Sequence, residues 1–203
     1  MPIRTIIFDV DGVLCDTFEF YRIRIAEFVG TMMSVDDFRN IHNGNFFETV
    51  PQEIKDTDWR AYAKYIYHEQ SALLIVDATK KSIKTLSESY ALHLVSSGSE
   101  INIEELLRNN GLHDHFNEIL GLESHRLKID KFKFLIEKYH LHAEECLFVT
   151  DTLGDILESN EVNIPTIAVD FGYHDTKTLQ RGNPLGIISH FDEIELLLQG
   201  LSE

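Results

Sequence analysis

The sequence predicts an α/β protein, a parallel sheet with helices on both faces, plus a small all-helical cap inserted after the first strand. Three observations carry this. Short runs rich in apolar and β-branched residues recur along the chain, bounded by polar or glycine-bearing turns, as strands buried on both faces do. Amphipathic helical patterns lie between them, and that alternation implies a parallel sheet. One stretch, residues 16–75, breaks the alternation with aromatics and helix formers and contains no convincing strand.

The predicted strands are 4–8, 91–95, 146–150, 165–169 and 186–189, with a weaker one at 118–120. Among the helices, 80–90 sets Ile83 and Leu86 on one face. The helix 101–110 stops at Gly111, a residue that tolerates the left-handed turn ending many helices. The helix 130–140 carries Phe132, Leu135, Ile136 and Tyr139 at helical spacing. The expected organisation is therefore a Rossmann-like core, 1–15 and 76–203, with a helical cap at 16–75. Phe18, Phe20, Tyr21, Phe28, Trp59, Tyr62 and Tyr65 are enough aromatic surface for a small core of the cap's own, and most should pack there rather than touch a substrate.

A chain of 203 residues can bury one good core with a small accessory domain. Its net charge of −16 repels nucleic acid and anionic membrane surfaces. No apolar run reaches the ~20 residues of a membrane span, and the N-terminal run lacks a signal peptide's apolar stretch, so a cytoplasmic location is expected. Cys15 and Cys146 read as buried, reduced thiols without metal-ligand spacing.

Chemistry concentrates at strand ends. Asp9-Val10-Asp11-Gly12 follows the first strand, and open parallel sheets bind ligands at the carboxyl ends of their strands. Two acids this close repel each other unless a cation or proton intervenes. A hard divalent ion with oxygen ligands suits them, although Asp-x-Asp-Gly alone also reads as a plain turn. Asp151 and Asp155 repeat the pattern after the strand 146–150, where Asp155 also reads as a helix cap. Ser96-Ser97-Gly98 follows the strand 91–95 and offers a hydroxyl and backbone amides to a phosphate oxygen, or forms an ordinary loop. Lys128 precedes the helix 130–140; a lone lysine is usually solvated. Together these four elements stand at strand ends in the order acid pair, hydroxyl, lysine, acid pair.

With those residues in place, the chain resembles the haloacid dehalogenase-like superfamily of phosphohydrolases, in its helical-cap branch of phosphoglycolate phosphatases and β-phosphoglucomutases. The resemblance covers 2–15 and 76–189. The first motif matches Phe8-Asp9-Val10-Asp11-Gly12-Val13-Leu14, the second the strand ending at Ser96, the third Lys128, and the fourth Asp151 with Asp155.

This resemblance implies Asp9 as nucleophile and Asp11 as general acid and base. Mg²⁺ would be held by Asp9, the Asp11 backbone carbonyl, Asp151 and, directly or through water, Asp155. Ser96 and the amides of Ser97 and Gly98 would hold phosphoryl oxygens, and Lys128 would neutralise nucleophile and phosphate. Three departures stand out. The Lys-Pro-x-Pro form of the third motif is missing, which makes Lys131 a rival of Lys128; Thr150 replaces a frequent Gly; and Ser97 replaces a frequent Asn.

The implied function is Mg²⁺-dependent hydrolysis of a small phosphorylated metabolite through an aspartyl-phosphate, by a monomer or homodimer. Asp11 sets the chain apart from dehalogenases and transport ATPases of the superfamily. A phosphomutase acting on a sugar phosphate is the nearest alternative. A non-catalytic binding module is a further one, against which the complete set of acids, hydroxyl and lysine speaks. Arg22 and Arg24 could meet a distal anion of the substrate or pair at the surface. The run 42–45, His-Asn-Gly-Asn, could face the site or merely connect helices.

Overall fold

The computed structural model describes residues 2–201. Six strands form one sheet: β1 (Thr5–Phe8), β2 (Ala91–Val95), β3 (Glu118–Leu120), β4 (Cys146–Thr150), β5 (Thr166–Val169) and β6 (Gly186–Ile188). Their spatial order is β3-β2-β1-β4-β5-β6, and every pairing is parallel. The strands therefore run as the sequence predicts, and the weak run at 118–120 is a real edge strand. From β1 the chain builds outward through β2 and β3, then crosses back to place β4 on the other flank of β1. The order in which strands are added thus reverses between β1 and β4, and such a switch point opens a crevice at the carboxyl ends of the two strands. Phe8 lies in register with Val149, so Asp9 leaves β1 at the level of Thr150, one residue before Asp151.

Between β1 and β2 come α1 (Phe18–Val29), α2 (Val35–Asn40), α3 (Phe46–Thr49), α4 (Gln52–Lys55), α5 (Trp59–Ser71) and α6 (Asp77–Ser87). No strand interrupts α1 to α5. The remaining helices are α7 (Glu100–Asn109), α8 (Lys128–Tyr139), α9 (Leu153–Glu161), α10 (Thr176–Gln180) and α11 (Glu193–Leu201). Among the described residues no helix is long and apolar enough to cross a membrane. Both cysteines are buried free thiols, pushed up to about 12 by burial.

Alternation along β1 splits the core in two. Ile6 and Phe8 join Leu92, Leu94, Ile83, Ile103 and Ile194 on one face. On the other, Ile7 joins Val95, Phe132, Leu135 and Phe148. The segment α1–α5 has its own cluster, with Ile25, Phe38, Ile41, Ile54, Trp59 and Ile66, and it takes in Tyr173 from the loop after β5.

Two seams fix this segment over the sheet's carboxyl edge. Along α5, the Asn102 amide donates to Ala63 O and to Gln70 Oε1, both at 2.8 Å, and Asn109 donates to Ser71 O at 3.0 Å. On the opposite side, Gly154 N donates to His42 O at 3.0 Å. His174 accepts from Leu153 N at 2.9 Å and donates through Nε2 to Arg39 O at 2.9 Å.

Two helix starts differ from the sequence reading. α8 begins at Lys128 rather than at residue 130, because the Glu158 carboxylate, from α9, accepts the Lys128 N–H at 3.0 Å. A free N–H at a helix start needs some acceptor, and this one is remote in sequence. In α9 the cap is Thr152, whose Oγ1 accepts from Asp155 N at 3.3 Å. That leaves the Asp155 carboxylate free to point elsewhere.

Candidate active site

Asp9 follows β1, and its backbone N–H still bonds to Val149 O of β4 at 2.9 Å. The chain then turns sharply at Gly12, where φ is +74°. A Cβ at this position would lie 1.9 Å from Asp151 Oδ2. Glycine is therefore needed twice over, for the left-handed backbone and for the close approach of the two acidic loops. Gly12→Ala should displace Asp151, abolish turnover and destabilise the fold by about 1–3 kcal/mol. Thermal unfolding beside an activity assay checks this.

Asp9, Asp151 and Asp155 are all buried, and their carboxylate oxygens lie within 4.8 Å of one another. Lys128 Nζ donates to Asp9 Oδ2 at 2.7 Å and to Asp155 Oδ2 at 2.8 Å. Thr150 Oγ1 donates to the same Asp155 oxygen at 2.7 Å. Asp151 Oδ2 accepts from Tyr173 N at 2.7 Å, but its Oδ1 has no partner, and neither has Oδ1 of Asp11. An orphaned buried carboxylate oxygen is costly, so both are open to a further donor or a cation.

The electrostatics show the same shortage of positive charge. Burial pushes Asp151 up to about 8, with Asp155 adding to the rise. Burial also raises Asp11 to about 6, against the opposing pull of Thr17 and Lys128. Asp9 stands well above the usual carboxylate range, again through burial, although Lys128 opposes it. Asp155 is the exception. Burial would raise it too, but Lys128 and its hydrogen bonds prevail and hold it down at about 2. Lys128 is itself held above its usual value, since Asp155 and Asp9 outweigh the burial that would lower it. One lysine thus faces three buried acids, and a divalent ion fits a donor set of this kind.

Lys131 lies one turn along α8 and is equally buried, but it turns away from the acids. Its Nζ donates to Ser96 O, and burial, then repulsion from Lys128, brings it down to about 8. Geometry therefore separates the two lysines that the sequence left as rivals: Lys128 touches Asp9 and Lys131 does not. Ser96 is fully buried, and its Oγ accepts from Gly98 N at 3.0 Å, so that amide is engaged within the loop. The hydroxyl proton is left for another acceptor.

A cavity of about 110 Å³ opens in front of this cluster. Asp9, Asp11, Asp155, Lys128, Ser97 and Gly98 line its sheet side, whereas Ser96 and Asp151 do not reach the wall. Of the seven aromatics expected to build the helical segment's core, Tyr21, Trp59 and Tyr62 also line the opposite side of the cavity, whereas Phe18, Phe20, Phe28 and Tyr65 do not. Phe28 and Tyr65 pack on Tyr62 and on each other. Arg22 and Arg24 pair at the surface, with Glu19 at 2.7 Å and with Glu27 at 2.6 Å. His42 and Gly44 do face the cavity. Thr150, Glu158 and Tyr173 were not legible as site residues. Thr150 was noted only as a departure from the usual glycine, and the others act through contacts distant in sequence.

Buried carboxylates and one lysine thus stand over the carboxyl edge of a doubly wound parallel sheet, the edge at which open α/β sheets bind ligands. The family model for haloacid dehalogenase-like hydrolases matches residues 6–169, and the chain belongs to that family. A phosphoglycolate phosphatase of Vibrio vulnificus is 25% identical, with 90% of each chain covered. Another, from Mesorhizobium japonicum, is 32% identical over 112 residues, and there the chain spans about half, 49%, of the relative's length. The structure of a predicted phosphatase from Clostridium acetobutylicum superposes with a TM-score of 0.82 at 17% identity, covering 98% of this chain and all of the other, and so shares the fold.

Proposed function

We propose that the chain hydrolyses a small phosphomonoester through an aspartyl-phosphate on Asp9, with Mg²⁺ as cofactor. One observation carries the reading: Asp9, in contact with Lys128, and Asp11, with an unpartnered oxygen, line one cavity two residues apart. A carboxylate oxygen of Asp9 attacks phosphorus, and the bond to the leaving oxygen breaks. Asp11 gives that oxygen its proton, then takes one from the water that attacks the phosphorus and releases Asp9. A carboxyl raised to about 6 can do both near neutral pH. Lys128 favours the ionised form of Asp9 against its burial and meets the phosphoryl charge. Ser97, on the cavity wall, receives phosphoryl oxygens, on a loop shaped by the Gly98 N–H bond to Ser96 Oγ.

Asp9, Asp151, the Asp11 carbonyl and Asp155 would hold Mg²⁺, which when bound offsets the acids and draws charge from the phosphoryl group. The orphaned Oδ1 of Asp151 supports that assignment. Residues 16–75 act as a cap on a core formed by 1–15 and 76–203. They shield the intermediate from bulk water and leave room for a metabolite rather than a folded phosphoprotein. A cytoplasmic location suits such a substrate.

Chelation should reduce phosphate release from small phosphomonoesters to background, and Mg²⁺ should restore it. Full turnover after exhaustive chelation would show that the acids serve another purpose.

A further inference from the structure

The cavity wall opposite the acids is largely hydrocarbon, with Ile25, Phe46, Phe47 and Ile66 among its residues. It brings no positive charge. Among the described residues, Lys128 is the only lysine or arginine lining the cavity, and its Nζ is already shared between Asp9 and Asp155. Arg126 lies over the ring of Phe47, 4.9 Å from its centroid, without lining the cavity, and three arginines of the helical segment are engaged elsewhere. Arg22 binds Glu19, Arg24 binds Glu27 and Glu69, and Arg39 Nε donates to Tyr173 O at 3.1 Å. His42, on the same wall, is kept neutral, its pKa pushed down to about 3 by burial and then by His174.

What the wall offers instead is hydrogen bonding without charge. Trp59 and Tyr62 are 8% and 5% exposed, and both Trp59 Nε1 and the Tyr62 hydroxyl lack a partner. A buried donor without an acceptor costs free energy that a ligand oxygen would recover. An indole N–H can only donate, and burial together with the Asp11 charge keeps Tyr62 protonated, so that it donates as well. A second negative group placed here would face Asp9, Asp11 and Asp155 at low dielectric with no cation of its own.

We propose that this cavity selects the monophosphate of a small uncharged alcohol, with an oxygen of the leaving group accepting from Trp59 and Tyr62, and that it rejects leaving groups bearing a carboxylate. The proposal rests on the phosphohydrolase reading and deepens it. It sets the chain apart from the phosphoglycolate phosphatases among its relatives, whose named substrate carries a carboxylate.

The test measures kcat/KM of the full chain with Mg²⁺ on glycerol 3-phosphate, 2-phosphoglycolate and phenyl phosphate. Glycerol 3-phosphate is expected to exceed 2-phosphoglycolate by at least about tenfold. Tyr62→Phe and Trp59→Phe, with folding checked by circular dichroism, are each expected to lower kcat/KM for glycerol 3-phosphate about fivefold more than for phenyl phosphate, as loss of one hydrogen bond predicts. Ile25→Lys should raise the rate on 2-phosphoglycolate relative to the other two. Turnover of 2-phosphoglycolate equal to or above that of glycerol 3-phosphate would overturn the proposal, as would equal losses on both esters in the two aromatic variants. Silence on all three esters would instead overturn the phosphohydrolase reading, and the inference with it.

Discussion

Asp9→Asn should lower turnover by at least about 10⁴-fold, as loss of a nucleophile does, and yet leave the metal-free protein as stable as the parent or more so. The first half follows from chemistry, because a carboxamide cannot form the aspartyl-phosphate. The second follows from the electrostatics. Burial holds Asp9 well above the usual carboxylate range, so its ionised form is disfavoured in the fold, and a neutral isostere removes that cost.

The same logic sets a pH dependence for the metal-free protein. A carboxyl whose pKa rises on folding adds stability below its unfolded value, about 3.9, and that stability is lost as pH climbs through the folded value. Asp11 at about 6 and Asp151 at about 8 therefore weaken the fold progressively from about pH 4 to 8. Asp155, at about 2, acts oppositely, and its contribution is lost only in strong acid. Thermal unfolding across this range should show the decline without Mg²⁺ and less of it with Mg²⁺. Wild-type turnover by Asp9→Asn, in protein shown by mass spectrometry to be free of deamidation, would rule out the covalent route.

Strands were legible in the sequence because a parallel sheet buries both faces, so each strand is an apolar run between polar turns; even the three-residue β3 followed this rule. The acids were legible because they sit at the ends of those runs. Three things were not. The start of α8 depends on Glu158, and no local signal announces a cap supplied by another helix. The use of Asp155 depends on Thr152 taking over the cap and Thr150 adding a hydrogen bond, and a short polar residue near a helix start reads the same in either role. Finally, Tyr21, Trp59 and Tyr62 have the composition of core residues, and they do belong to or pack on the cluster of the helical segment. The other edge of Trp59 and Tyr62 faces the cavity because α5 is seated on α7, and Tyr21 of α1 accepts from Gln70 Nε2 of α5 at 2.7 Å, contacts between segments with no trace in local pattern.

The two lysines of α8 give the second large effect. Lys128 and Lys131 are both buried, three residues apart on one helix face, so exposure cannot rank them. Their partners do. Lys128→Ala leaves Asp9 and Asp155 facing each other without their shared cation, and turnover should fall roughly 10²–10³-fold, the scale of losing one charge-stabilising donor. Lys131→Ala removes only a donor to the Ser96 carbonyl, and turnover should fall less than about tenfold. Stability separates the variants further. Breaking a buried ion pair by removing one partner costs about 3–5 kcal/mol, and for Lys128→Ala a divalent ion can replace part of the lost charge. The midpoint of thermal unfolding of Lys128→Ala should therefore rise with Mg²⁺ more steeply than that of the parent, whereas Lys131→Ala should track the parent. A larger kinetic loss in Lys131→Ala, or identical Mg²⁺ responses in both variants, would mean that the lysine bridging Asp9 and Asp155 is not the one that serves the reaction.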